Sequence, residues 1–250
     1  MFHVAIPARA ASTRLPGKAL AALRGKPMIQ WVYERASASG AADVLIATDD
    51  PAIVSAAHAF GAQARLTSAS HASGTDRIAE LAARERWPEE DIVVNVQGDE
   101  PLMPPALIRQ AAMLLQSHPE ASLATLATPI GSAAELLDPN VVKVVCDEGG
   151  RALYFSRAPI PWHREGTSGG LASQRLFTGA RRHVGLYAYR VKALKRLASL
   201  EPTALEVAER LEQLRALGHG MIIQVADCQE PPGPDVNTPE DLARVAALMG

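Results

Sequence analysis

Three fixed cations, Arg9, Arg14 and Lys18, stand within ten residues in "PARAASTRLPGK" (7–18). Arginine offers a planar fork to phosphate oxygens, and lysine a compact charge that can follow negative charge developing on a leaving group. The loop is no dinucleotide fingerprint, because no GxGxxG follows the apolar run 2–6. It is no Walker A loop either, because position 12 is Ser and Ala19 follows Lys18. What remains is a flexible turn, "AAST", and a bend in which Pro16 fixes φ and Gly17 permits close approach, a shape able to wrap a triphosphate. A second constellation, "DIVVNVQGDEP" (91–101), carries Asp99 straight out of an apolar run. Such a carboxylate suits magnesium, which takes one or two protein carboxylates and completes its shell with substrate phosphates. Asp235, Asn237 and Asp241 form a third polar cluster in "DVNTPEDL". Taken singly, each has a plainer reading: a solvated basic loop, a turn residue before Pro101, and an ordinary helix N-cap at Asn237 and Thr238.

The elements that must carry these residues alternate. Strand-length apolar runs occur at 2–6, 44–48, 91–96 and 122–128, with helical patterns between them. Asp50 as N-cap, Pro51 at the first helical position and Gly61 at the stop punctuate one such helix. The alternation predicts a parallel sheet covered on both faces, which puts 7–18 and 97–100 together at its carboxyl edge, where open α/β sheets bind ligands. After about residue 140 the pattern predicts a hairpin over 141–155 turning through Gly149 and Gly150, and a long polar surface loop over 163–183. Then come a strand (183–189), helices at 191–199 and 203–217, a strand (221–226) and a final helix opened by "NTPEDL". The expected architecture is one α/β domain over 1–250, doubly wound, with about 130–220 supplying a smaller lid or dimerisation part. A net charge of -2 argues against nucleic-acid and membrane-surface partners. The start lacks the form of a signal peptide, so a cytoplasmic protein is expected. Cys146 and Cys228 read as buried free thiols, with neither a disulfide nor a zinc site suggested. "GTSGG" at 166–170 matches GxSxG in letters only, since no strand leads into it.

In order along the chain, "PARAASTRLPGK", "SGTDRIAE", "VNVQGDEP", "LYFSRAPIPW", "RRHVGLYAYR", "LEQLR" and "VNTPEDL" together resemble the cytidylyltransferases that activate 3-deoxy-manno-octulosonate (Kdo). The fourth and fifth of these motifs are the most specific. The resemblance implies a Rossmann-like mixed, mostly parallel sheet with helices on both faces. It implies transfer of CMP from CTP to Kdo with release of pyrophosphate, Mg2+ dependence, a homodimer, and a role in lipopolysaccharide synthesis in the cytoplasm of a Gram-negative bacterium. It gives Arg9, Arg14 and Lys18 to the triphosphate, with Lys18 nearest the attacked phosphorus, and Ser73, Gly74, Arg77 and Gln97 to the base and ribose. It makes Asp99 a metal ligand, and Arg157, His183, Tyr187, Glu212 and Gln213 the pocket for the acid sugar. The plainer readings are a strand histidine, a core tyrosine, and a wet helix face opposite Leu205, Ala208, Leu211 and Leu214. The chain departs at the last motif, where these enzymes commonly read "VDTPEDL": here Asn237 takes that place, with Asp235 two residues earlier. Either can complete the metal site with Asp99, since an amide oxygen ligates magnesium without adding charge. A cytidylyltransferase for another 2-keto acid sugar such as sialic acid, a uridylyl- or guanylyltransferase, and a nucleotide-binding paralogue without turnover are the alternatives.

Overall fold

The chain opens in strand β1 (Phe2–Ala8), buried along its whole length as a central parallel strand must be. In this computed structural model residues 1–9 and 14–249 are described; the "AAST" turn expected at 10–13 lies outside them. A short ribbon, β2 (Ala22–Leu23) with β3 (Lys26–Pro27), leads into α1 (Met28–Ser37). Strands and helices then alternate through β4 (Asp43–Thr48), α2 (Pro51–Ala59), β5 (Gln63–Leu66), α3 (Gly74–Arg84), β6 (Ile92–Asn95), α4 (Pro105–Ser117) and β7 (Leu123–Pro129). α5 (Ala133–Leu137) precedes the hairpin β8 (Lys143–Cys146) and β9 (Ala152–Ser156). β10 (Arg181–Arg190), α6 (Val191–Ser199), α7 (Ala204–Glu209), α8 (Gln213–Gly218), β11 (Ile223–Asp227) and α9 (Pro239–Leu248) follow.

The main sheet has the order β11-β7-β10-β6-β1-β4-β5, with β8 and β9 attached beside β10. β1 pairs in parallel with β4 and β6, β4 with β5, and β11 with β7. β10 is antiparallel to both neighbours, β6 and β7. The sheet is therefore mixed, and β10 belongs to its centre although it comes from the part expected to form a lid. Its sequence explains this: Val184, Leu186 and Ala188 point into the core on one face and Tyr187 and Tyr189 into the core on the other. A strand buried on both faces fits only inside a sheet. The two cores lie on opposite faces, one packing Ile29, Ile53 and Leu107 and the other Ile78, Leu194 and Leu214.

Local signals set the helix ends. Asp50 accepts from the Ala52 amide at the start of α2, and Gly61 (φ +82°) takes the left-handed position just beyond the helix end. Ser73 with Asp76, and Thr238 with Asp241, close capping boxes on α3 and α9. The helix expected over 203–217 is broken. Arg210 turns left-handed (φ 52°, ψ 50°), and α7 and α8 have inward faces out of phase: Glu206 is buried, whereas Leu205 and Val207 are exposed. The face Leu205–Ala208–Leu211–Leu214 expected from the sequence thus does not exist as one stripe. The break allows Leu211, Leu214 and Ala216 to enter the core while Glu206 pairs with Arg215 at 2.6 Å. The surface loop expected to reach 183 ends earlier, at Arg181, and contains short 3-10 turns at Arg164–Gly166 and Leu171–Ser173. Cys146 and Cys228 are free and half-buried.

Two close contacts hold opposite edges of the sheet. At the amino edge, His3 stacks on Trp87 (centroids 4.4 Å apart) and reaches Asp43 through Nδ1 at 2.7 Å and Asp91 through Nε2 at 3.0 Å. At the carboxyl edge, a Cβ on Gly98 would lie 2.9 Å from the Pro7 carbonyl oxygen, so only glycine lets the exits of β1 and β6 cross this closely. His3→Ala should lower stability by about 2 kcal/mol, through loss of the stack and of both carboxylate contacts. Urea unfolding checks this. Gly98→Ala should cost about 1–3 kcal/mol of overpacking strain in the same assay.

Candidate active site

The basic loop and the acidic turn meet at the carboxyl edge. Gly17, left-handed at φ +65°, turns the chain into a short 3-10 helix at Lys18–Leu20 and so directs Lys18 back over the sheet. Its Nζ donates to Asp99 Oδ2 at 2.6 Å, to the Val236 carbonyl at 3.1 Å and to Asn237 Oδ1 at 3.2 Å. Arg14 Nη2 also donates to Asn237 Oδ1, at 2.9 Å. The Val236 amide donates to the Asp99 carbonyl at 2.9 Å, tying the segment before α9 to the turn after β6. Three segments far apart in sequence thus converge on one lysine. Arg9 is exposed at the mouth of the same cleft, whose volume is about 370 Å³.

Oxygen donors dominate the acidic side. Asn237 Nδ2 donates to Asp235 Oδ2, which fixes the amide so that Oδ1 faces the cations. Glu100 Oε2 is buried and finds no hydrogen-bond donor. Burial, with the charges of Asp99 and Asp235 adding to it, pushes the Glu100 carboxyl up to about 8. That carboxyl keeps its proton at neutral pH and is not among the residues lining the cleft, so the donors that suit a hard divalent cation here are the Asp99 carboxylate and the Asn237 amide oxygen. No cluster of three or more His, Cys, Asp or Glu side chains with metal-ligand spacing occurs among the described residues. A cation held here would take most of its shell from water and a bound anion. Asp235 is exposed and lies outside the lining of the cleft.

The opposite wall is the loop before α3. Ser73, Gly74, Arg77, Gln97 and Gly98 line the cleft, together with His71, which the sequence did not single out. Glu80 anchors this loop: it accepts from the Ser68 amide at 2.9 Å and pairs with His71 and Arg84. Burial alone would raise its carboxyl, but these donors outweigh it and hold the group below the usual range. Arg77 is buried and committed to structure. Its guanidinium donates to Asp49 Oδ2 at 2.8 Å and Thr67 Oγ1 at 2.5 Å, clamping the ends of β4 and β5 beneath the cleft.

A second, smaller cavity of about 110 Å³ shares Gly74 and Gln97 with the first as common walls. Tyr187, Tyr189, Glu212, Gln213, Thr75 and Asn95 also line it. Two buried polar atoms here have no partner, Tyr187 Oη and Glu212 Oε1. The other oxygen of Glu212 accepts from Thr75 Oγ1 at 2.6 Å. Burial raises the Glu212 carboxyl and the Tyr187 phenol above their ordinary values. The wet-face reading of Glu212 and Gln213 is thereby corrected: the break at Arg210 turns both residues inward.

His183 and Arg157 stand apart from the walls of both cavities. β10 bulges between Val184 and Tyr187, and Thr125 fills the bulge, its hydroxyl reaching the Leu186 carbonyl at 2.8 Å and His183 Nε2 at 3.0 Å. A threonine hydroxyl carries one proton. If it goes to the carbonyl, Nε2 of His183 is the protonated nitrogen and Nδ1 an acceptor. Burial pushes His183 down to about 3, so the ring is neutral at physiological pH. It packs edge-on against Phe155 and lies 5.2 Å from the Tyr187 ring. Arg157 donates from Nε to the Glu209 carbonyl and from Nη1 to the Pro139 carbonyl, both at 2.8 Å. Its own backbone is held by Glu209 and by Lys143, a fully buried lysine whose Nζ reaches the carbonyls of Asp138, Val141 and Arg157. Thr75, Thr125, Lys143 and Glu209 escape a reading by motif because each acts through a contact that no short spacing encodes.

Comparison with known proteins agrees with this geometry. Residues 4–223 match the model of a family described as Cytidylyltransferase. The chain is 56% identical over 248 residues to the 3-deoxy-manno-octulosonate cytidylyltransferase of Thioalkalivibrio sulfidiphilus, covering 99% of this chain and 98% of that one. It is 54% identical to the protein of the same name from Halorhodospira halophila, covering 99% and 96%. Among solved structures, a CMP:2-keto-3-deoxy-manno-octonic acid synthetase complexed with CTP superposes with a TM-score of 0.89 at 42% identity, over 100% of this chain and 98% of the other. With the match spanning most of its length and the cleft in the expected place, the chain belongs to the cytidylyltransferase family.

Proposed function

We propose that the protein transfers the cytidylyl group of CTP to 3-deoxy-manno-octulosonate, releasing pyrophosphate and supplying CMP-Kdo for lipopolysaccharide synthesis. The observation that carries this is the shared wall at Gly74 and Gln97: a cation-lined cleft opens beside a cavity with two unpartnered buried oxygens. A triphosphate in the first would present its α-phosphorus to a polyhydroxylated acid in the second. The relatives at 54–56% identity bear the name of this activity.

The reaction forms a bond from the anomeric oxygen of the sugar to the α-phosphorus and breaks the bond from that phosphorus to the bridging oxygen of pyrophosphate. Catalysis then rests on orientation and charge neutralisation. Arg9 and Arg14 grip phosphate oxygens, and Lys18 leaves Asp99 to meet the charge that builds on the departing group. Ser73, Gly74 and Gln97 hold the base and ribose, and Arg77 keeps that wall in place from below. Tyr187, Glu212 and Gln213 receive sugar hydroxyls. Neutral His183 orients the tyrosine, and Arg157 meets the sugar carboxylate only after release from its two carbonyl partners. Asp99 and Asn237 would hold Mg2+, with Asp235 tuning the amide. When bound, the ion neutralises phosphate charge and lowers the pKa of a nearby hydroxyl.

No helix among the described residues is long and apolar enough to cross a membrane. A cytoplasmic homodimer fits this reading, with exposed Leu153, Leu205 and Val207 offering apolar surface to a second copy.

Purified protein with CTP, Mg2+ and Kdo should release pyrophosphate. UTP or sialic acid in place of the true substrates should give at least about tenfold less, because buried polar groups then stay unpaired. No release with any acid sugar would reject the reading in favour of a nucleotide-binding protein without turnover. Lys18→Glu should abolish turnover, and an unchanged rate would refute the clamp. In the free protein Lys18 occupies the carboxylate a metal needs. Lys18→Met should therefore tighten Mn2+ binding without nucleotide by about tenfold, read by paramagnetic resonance.

A further inference from the structure

Thr75 joins the two cavities. It sits in the first turn of α3, two residues after the Ser73 cap, and is 3% exposed. Its hydroxyl donates to Glu212 Oε2 at 2.6 Å across 137 residues of sequence. Ser73 and Gly74, on the same turn, line the larger cleft, whereas Thr75 and Glu212 line the smaller cavity. The opposite oxygen, Glu212 Oε1, is buried without a donor, as is the Tyr187 hydroxyl in the same cavity. A buried carboxylate with one oxygen tied and one free has a fixed direction, and the free oxygen calls for a donor from a ligand.

We propose that Thr75 is a positioning residue, whose hydroxyl aims the Glu212 carboxylate so that Oε1, beside the Tyr187 hydroxyl, accepts a hydroxyl of the sugar. The link makes the sugar cavity depend on the turn that carries the nucleotide-side wall. It rests on the reading of the smaller cavity as the acid-sugar pocket. The chemistry selects a ligand with a donor and an acceptor close together, as on a vicinal diol, because Tyr187 supplies the donor and Glu212 the acceptor. Glu212 must be ionised for this role. Burial raises its carboxyl, and the Thr75 and Ser73 hydroxyls and the Arg215 charge act against that rise, while Asp76 adds to it; Tyr187 and Tyr189 face it across the cavity. Without the Thr75 donor the carboxylate protonates at higher pH and turns more freely.

The test is Thr75→Val, which keeps the shape and removes the donor, with Thr75→Ser as the conservative variant and Tyr187→Phe as a control on the pocket. Thr75→Val should raise KM for Kdo about tenfold and move the acid limb of its pH profile upward. CTP binding measured by calorimetry without sugar should stay within about twofold, and Thr75→Ser should restore the parent KM. If Thr75→Val does not fold, Thr75→Ala reads the same quantities. A Kdo KM unchanged in Thr75→Val but raised in Tyr187→Phe would overturn the link and leave the pocket standing. Unchanged values in both would overturn the pocket reading and the link with it. Parallel loss of CTP and Kdo binding that serine does not rescue would mean a purely structural threonine, and would also reject the proposal.

Discussion

The ion pair between Lys18 and Asp99, 2.6 Å long and partly shielded from water, is the contact around which the carboxyl edge is arranged. Its lysine comes from the loop after β1 and its aspartate from the turn after β6. Its remaining hydrogen bonds go to the Val236 carbonyl and Asn237. One ammonium thus closes three chain segments over the edge of the sheet. An attraction of this kind gains strength where solvent is partly excluded, yet stays breakable because neither partner is fully buried. That intermediate strength suits a site whose cation must change partners. In the free protein Lys18 neutralises Asp99. On the proposed mechanism a triphosphate would give the lysine a stronger anion to follow and free the aspartate for a metal.

This exchange works only if the backbone beneath it does not move, and the neighbouring contacts supply that rigidity. Gly98 lets β1 and β6 cross with a backbone oxygen where a Cβ would stand. Buried Arg77 joins the ends of β4 and β5, and Glu80 anchors the loop that carries His71. The two walls of the cleft are consequently built from different materials: a partly exposed pair of charges on one side, and side chains already committed to structure on the other. Arg77 shows why residue type alone misleads. The resemblance puts Arg77 on the base and ribose side; it does line the cleft, but its guanidinium is held by Asp49, Thr67 and the Ser68 carbonyl.

How much of this could be read from the sequence depends on whether the signal was local. The strands at β1, β4, β6 and β7, the caps at Asp50 and Thr238, and the hairpin turning near Gly150 are written in short windows, and the structure has each of them. The meeting of Lys18 with Asp99 followed from alternation, because consecutive βα units put their loops on one edge. The insertion of β10 between β6 and β7 did not follow. A strand reaching the centre of the sheet after the hairpin and the 157–180 segment leaves no short-range mark beyond being apolar on both faces. The break at Arg210 was invisible for a related reason: helical propensity continues through it, and only the burial of Glu206 against Arg215 shows that the two halves face differently.

That break has the largest consequence for chemistry. A continuous helix would have left Glu212 and Gln213 in water, where a glutamate is an ordinary anion with solvent on both oxygens. Turning them inward costs desolvation, visible in the raised Glu212 carboxyl, and the fold offsets it only in part through Thr75 and Ser73. On the proposed reading, the incomplete offset is what leaves an oxygen for a ligand. A carboxylate oxygen fully satisfied by the protein would have nothing to offer a ligand, and one with no protein partner at all would shed its charge by taking up a proton. Holding one oxygen and leaving the other free keeps the anion and its direction together. Glu100 is the contrasting case: buried beside Asp99 with an oxygen that finds no donor, its carboxyl is raised to about 8 and gives up its charge at neutral pH.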